Sequence, residues 1–253
     1  MKTIIAAAGL ATTLALGANT ASARAEHPSV NVSGGSRLLD ASRAAQLGRW
    51  LGAGDINLGN VYTLRPGDTA PDFHQAADGN GATFTLLEVT NPSGQTYLVG
   101  GYNPQSWSAG GTWNETPRDY QRTAFLFNMT APAVYRQILS DYVLPSQGLR
   151  QTFNDLNLGP EFGSGPDLFV NHLLDGAVSW QLSYGNPAEE GLSIVDRTRG
   201  GEIVRVDGME VFAISPVPEP GAVAMLLAGA AVLLARARMR ARAHTHTYVH
   251  ARI

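Results

Sequence analysis

Along residues 73–107 the apolar positions fall into two short runs, and the pattern around them predicts a β-hairpin. Thr83–Thr90 is mostly apolar or β-branched, and so is 96–99. Between them stands Asn91-Pro92-Ser93-Gly94, where proline fixes φ and glycine supplies a positive φ. Phe84 and Leu86 fall on one face of the first run, Leu87 and Val89 on the other. A strand that is apolar on both faces belongs at the centre of a sandwich rather than at its edge.

The same reading carries along the rest of the chain. Asp40 can cap a helix over Ala41–Leu51, whose apolar face is Ala44, Leu47, Gly48 and Leu51, with Gly52 as its stop. Gly48 costs about 1 kcal/mol in a helix interior, so something should pack closely against it. Strands are expected at 60–64, 124–130, 167–174, 177–184, 203–206 and 209–214, the last two joined by a tight Asp207-Gly208 turn. In 177–184, Val178, Trp180, Leu182 and Tyr184 alternate with Ala177, Ser179, Gln181 and Ser183, which predicts one buried and one wet face. Val134, Tyr135, Ile138, Leu139 and Tyr142 have helical spacing between Pro132 and Pro145, predicting a helix over 132–144. Residues 27–36 are expected to form a loose arm, and 102–120 a long polar loop. No internal repeat and no second domain is visible.

The two ends change the picture. Met1-Lys2, an apolar run over 4–16 and the Ala21-Ser22-Ala23 pattern read as a secretory signal peptide over 1–25, with cleavage after Ala23 or Ala25. At the other end, Ser215-Pro216-Val217-Pro218-Glu219-Pro220 is expected to break regular structure. Residues 221–235 then carry no charge, and Arg236, Arg238, Arg240 and Arg242 follow. Such a helix covers roughly 22 Å, short for a hydrocarbon core of about 30 Å. The arginines argue for a membrane stop with residues 236–253 on the cytoplasmic side.

Charge follows this division. The net charge of −3 conceals a body, 26–218, with twenty acids against eleven arginines, a balance of −9. An acidic body without a basic stripe argues against nucleic acid as a partner. The chain has no cysteine, which removes thiol chemistry, thiolate metal sites and disulfides.

Several segments in order resemble the TLDc domain: Phe73-His74, Asp78-Gly79-x-Gly81, Thr83-Phe84, Gly100-Gly101-Tyr102, Ser106-Trp107 and Ala124-Phe125-Leu126-Phe127-Asn128. Gly159-Pro160-x-Phe162-Gly163-x-Gly165-x-Asp167-Leu168 and Glu210-Val211-Phe212 follow. The resemblance spans residues 38–214 and implies a mainly β fold with a few helices, a two-sheet antiparallel β-sandwich over 26–214. Eukaryotic members are associated with oxidative-stress protection and with regulation of a vacuolar proton pump. Neither role carries to a thiol-free chain with export signals. The order Pro-Glu-Pro, apolar helix, basic cluster resembles the bacterial PEP-CTERM sorting signal. That resemblance implies an exosortase-type protease and the export machinery as partners, transient anchoring in the inner membrane, and cleavage near Val217-Pro218-Glu219-Pro220. Release to the cell surface or its polysaccharide matrix would follow.

Candidate chemistry is sparse. The patterns of a nucleophile elbow, a zinc protease, a P-loop and a dinucleotide loop are absent. Asp78-Gly79-Asn80-Gly81 starts like a calcium loop but has Thr83 and Val89 where glycine and glutamate are required. His74 stands near Asp68, Asp72 and Asp78 and reads as the cap of a glycine-rich turn. His244, His246 and His250 read as an inert extension, so neither a metal nor a cofactor is expected. Trp107, Trp113 and Tyr120, on the polar loop, are the candidate binding residues, suited to stacking on sugar rings or partner proteins. Glu88, Glu115 and Glu161 are the candidate carboxylates for a polysaccharide hydrolase. The reading that follows is an exported surface or matrix protein acting through binding. Its alternatives are a carbohydrate-binding module and a carbohydrate-active hydrolase.

Overall fold

The computed structural model describes residues 29–140 and 147–217, with three helical positions at 233, 234 and 236. The signal segment, Pro218-Glu219-Pro220 and nearly all of the apolar helix and basic tail lie outside the described residues. Among those described, no helix is long and apolar enough to cross a membrane.

The body is mainly β and dominated by antiparallel pairing. In chain order it runs β1 (Val30–Ser33), α1 (Ala41–Leu51), β2 (Ile56–Thr63), α2 (Ala70–Ala77), β3 (Thr83–Thr90), β4 (Thr96–Asn103), β5 (Gly110–Glu115), β6 (Phe125–Asn128) and β7 (Ala133–Arg136). Then come β8 (Arg150–Asp155), β9 (Glu161–Phe162), β10 (Leu168–Val170), β11 (Gly176–Val178) and β12 (Ile203–Pro216). The strands pair along one path, β5-β8-β9-β10-β11-β12-β3-β4-β6-β7, with β2 also on β12 and β1 parallel to β2.

The predicted hairpin is the centre of this path. β3 and β4 pair from Thr83↔Asn103 to Thr90↔Thr96, and Asn91 ties the five-residue loop by accepting from the Gln95 amide and the Ser93 hydroxyl. Leu87 and Val89 enter one core, with Phe73, Trp107, Phe162 and Tyr184; Phe84 and Leu86 enter the other, with Leu47, Phe125, Phe127 and Phe212. α1 covers the second core. Its bounds, its Asp40 cap on the Arg43 amide and its left-handed Gly52 stop are those expected from sequence. A Cβ on Gly48 would lie 2.7 Å from Val30, which is the close packing the glycine requires.

Val30 belongs to β1, so the expected loose arm is in part a parallel strand on Ile56–Gly59. The helix expected over 132–144 is replaced, where the chain is described, by β7 and a bridge at Gln137. β7 folds back on β6 through a four-residue turn that Asn128 holds by accepting from the Ala131 amide. Tyr135 and Val134 then face the two different cores, a demand that the periodicity of apolar residues alone does not reveal. Asp207-Gly208 is no hairpin turn. β12 runs straight through it, and the extra residue forms a bulge between Val206 and Gly208 opposite β3. The strand continues to Pro216, paired with Ile56, so the proline-rich linker is still sheet at its first two residues.

Candidate functional site

β5, β8, β9, β10 and β11 form a wing whose inner row, including Phe162, Leu168 and Ala177, is buried in the first core. Its outer row is built by register. Trp113 stands opposite Phe153, Phe153 opposite Glu161, Glu161 opposite Phe169, Phe169 opposite Val178, and Val178 opposite Ile203 on β12. Cross-strand partners share a face, so these six residues form one line of about 24 Å across six strands. The first five are half-buried and Ile203 is exposed. The Trp113 and Phe153 rings pack with centroids 4.8 Å apart and planes tilted by 42°, and the Arg150 guanidinium lies 5.1 Å from the Trp113 ring. At the far end, a Cβ on Gly201 would touch both Val178 and Trp180, and Trp180 is 42 % exposed. The line thus has an indole near each end and a carboxyl at its middle.

That carboxyl is unusual. Desolvation among the aromatic rings, with the Asp155 charge as a smaller contribution, pushes Glu161 up to about 7. Asp155 lies two residues beyond Phe153 on β8, the diagonal position to Glu161 on the same face. Asp155 also accepts from the backbone and side-chain amides of Asn157.

The three aromatic residues singled out from sequence part company. Trp107 is 1 % exposed, packs edge-on against Phe73 and Phe162, and donates from Nε1 to the Thr83 hydroxyl. It anchors the core and offers no stacking face, which corrects its reading as a loop-borne contact. Tyr120 is 71 % exposed in a short 3-10 turn at Asp119–Gln121, beside Arg118. Only Trp113 joins the outer row, and it does so from a strand in a region expected to be loop. Among the described residues no ring pair links the three.

The other carboxylates divide as sharply. Glu88 accepts from Arg37 at 2.7 Å on the surface, and Glu115 is exposed at the end of β5. Glu210, which sequence reading did not single out as chemistry, is 2 % exposed and accepts from the Arg37 amide and the Ser36 hydroxyl, fastening the approach to α1. Asp167 is fully buried and accepts the amides of Leu182, Ser183, Tyr184 and Gly165. Burial pushes it up to about 7 against the pull of these donors. Every neighbour is a donor, so the loop is built around the carboxylate. His74 bridges α2 to the turn before β9, with Asp78 on Nδ1 at 2.8 Å and the carbonyls of Asp155 and Leu158 on Nε2. Among the described residues no group of three or more histidines or acids could hold a metal ion.

The outer row was hidden by a polarity reversal. The strand expected over 177–184 is regular only to Val178, the end of β11; in the irregular segment beyond it Ser179, Gln181, Ser183 and Tyr184 are fully buried, while Val178 and Trp180 face outward. Ser179 donates to the Asp167 carbonyl and accepts from Ile194, and Gln181 donates to Leu192. Set beside known proteins, the chain matches no family model and no curated protein.

Proposed function

We propose that this is an exported binding protein of the cell surface or its polysaccharide matrix, and that the outer aromatic row contacts matrix carbohydrate. The row carries the proposal. Aromatic rings laid in line on a rigid sheet suit the C–H faces of successive sugar rings. A carboxyl that holds its proton near neutral pH can both donate to and accept from hydroxyls. The export reading rests on the signal peptide and on the Pro-Glu-Pro, apolar helix and arginine order, with an exosortase-type protease and the inner membrane as transient partners. A TLDc-like two-sheet sandwich is the finer fold we propose, supported by the order of the matching segments. The central β3–β4 hairpin and the Gly100-Gly101 pair, which lets Phe127 and Phe162 approach β4 closely, add to it.

Titrating the purified protein with oligosaccharides from isolated matrix tests the proposal. A saturable change in tryptophan fluorescence is expected, and it should weaken roughly tenfold in Trp113→Ala, the scale for losing one stacking platform. Retention on intact cells that is indifferent to both Trp113→Ala and Phe169→Ala would assign the contact to a protein partner.

One observation favours a second reading, a glycoside hydrolase. Glu161 has the raised pKa of a general acid, and Asp155, diagonal to it, could serve as its ionised partner. Sugar release from matrix that is abolished by both Glu161→Gln and Asp155→Asn would establish that reading. Release unaffected by either, or none from the unaltered protein, ends it.

A further inference from the structure

A concavity lies between the end of α1, the end of β12 and β4. It has a volume of about 650 Å³, in the ~300–1,000 Å³ range of small-molecule sites. Leu51, Ala53, Ile56, Ile214 and Pro216 form its apolar wall, and Tyr102, Thr123, Arg122 and Arg136 supply its polar groups. Among the described residues that line it there is no aspartate or glutamate, although acids outnumber arginines nearly two to one in the body. The two guanidiniums differ. Arg122 is buried and held by the carbonyls of Thr116 and Ile138, with Asp119 at 3.6 Å. Arg136 donates to the Trp50 carbonyl and lies 5.3 Å from the Phe125 ring; it is exposed, and among the described residues no carboxylate pairs with it. The half-buried Tyr102 hydroxyl makes no hydrogen bond among the described residues, and burial raises its pKa, keeping it a donor.

We infer that this cavity binds a small amphiphilic carboxylate, its head on Arg136 and the Tyr102 hydroxyl and its apolar body along Leu51, Ile56 and Ile214. The charge of the lining selects the head group, because an exposed guanidinium with no counter-ion among the described residues, beside a neutral donor, forms a carboxylate cradle. The wall selects the body. The position adds a topological point. The Ser29 amide donates to the Asp55 carboxylate and the Val217 amide to the Asp55 carbonyl, so both ends of the folded body meet beside Ile56. The cavity therefore opens at the end of the body from which the two terminal segments depart.

Octanoate, octyl glucoside and octylamine, each added to the isotope-labelled full chain below its aggregation limit, provide the test. Octanoate is expected to give saturable amide shifts at Gly52, Thr123 and Ile214, with octyl glucoside weaker and octylamine without effect. Arg136→Gln should weaken octanoate roughly tenfold or more, the scale of one charged hydrogen-bonding partner, while Arg136→Lys keeps most of it. Equal affinity for octanoate and octylamine, or no saturable shift at these amides, would overturn the inference without reference to any variant. An unchanged affinity in a folded Arg136→Gln protein would do the same.

Discussion

The centre of the sheet and its wing use apolar residues for opposite ends. β3 is apolar on both faces, and each face enters a closed core, so every large side chain there is structural. In the wing the inner row alone serves the core. The outer row keeps Trp113, Phe153 and Phe169 half in water, around one glutamate. A sheet that needed these rings only for stability would have turned polar residues outward, as a one-sided antiparallel sheet does. The irregular segment that follows β11 buries Ser179, Gln181 and Ser183, while the wing keeps its rings half outside, and the proposed contact surface rests on that arrangement. The two acids that burial pushes to about 7 repeat the contrast. Asp167 is surrounded by amide donors and organises a loop, whereas the Glu161 carboxyl sits among rings with no hydrogen-bond partner among the described residues.

The contrast can be broken most severely at glycines. A Cβ on Gly100, in β4, would overlap the Thr85 carbonyl oxygen and the Phe127 ring, while one on Gly110, in β5, would find its nearest atom at 3.7 Å. Gly100→Ala should cost about 3 kcal/mol or more and Gly110→Ala under about 1 kcal/mol, read as shifts in urea midpoint. Comparable losses at the two sites would mean that the wing is packed as tightly as the centre.

Asp167→Asn is next. It swaps one carboxylate oxygen for an NH₂ that meets the Ser183 and Gly165 amides donor to donor. A loss of roughly 2–3 kcal/mol is expected from the unsatisfied donors and the lost charge. A loss near zero would show that the loop does not need the carboxylate, and with it would fall the explanation of the polarity reversal in 177–184.

How far the sequence disclosed this arrangement follows from the same physics. The central hairpin, α1 with both caps, and the tight spot at Gly48 were legible because each is set by residues close in sequence. β7 was not, because its two faces serve different cores and the spacing of apolar residues imitates a helix. The bulge at Asp207 reads locally as a turn; only the neighbouring strands β3 and β2 keep β12 straight. The outer row was the least legible part. It takes one residue from each of six strands, and one of its members, Trp113, could be named only as an aromatic on a loop. Nothing in the local sequence sets Glu161 apart from Glu88 and Glu115, because its place between two aromatic partners depends on pairings remote in sequence.

Glu161→Gln should act in the opposite sense, and modestly. The folded pKa, about 7, lies above the ordinary glutamate value of 4.5. The folded state therefore binds the proton more tightly than the unfolded chain, and stability falls as pH rises from about 4.5 to 7. Above that window the ionised carboxylate among the rings is a standing cost, about 1–2 kcal/mol after allowance for solvent screening at this half-exposed site. Denaturation at pH 8 should find Glu161→Gln more stable by that amount, and at pH 4 equal to the unaltered protein. A variant that is less stable at pH 8 would show that the carboxylate is held by an interaction other than burial, and would remove the titrating centre from the proposed contact surface.

The smallest expected effect separates the row from the loop beside it. Tyr120 is exposed, and among the described residues its polar and ring contacts are with Arg118, through its hydroxyl at 3.3 Å and the cation at 6.0 Å from its ring. Tyr120→Ala should therefore change stability by no more than about 0.5 kcal/mol. If contact is made by the sheet, Tyr120→Ala should also leave matrix retention intact while Trp113→Ala reduces it. The two residues lie seven positions apart in the sequence, and nothing in their local composition distinguishes them. What differs is that one indole is fixed in register on a strand against a neighbouring ring, so it would be ordered before any contact formed. The phenol of Tyr120 projects from a three-residue turn and would lose side-chain freedom on contact, at a cost of about 0.5–1.5 kcal/mol. Retention that depends on Tyr120 and not on Trp113 would move the contact surface off the sheet and back to the loop.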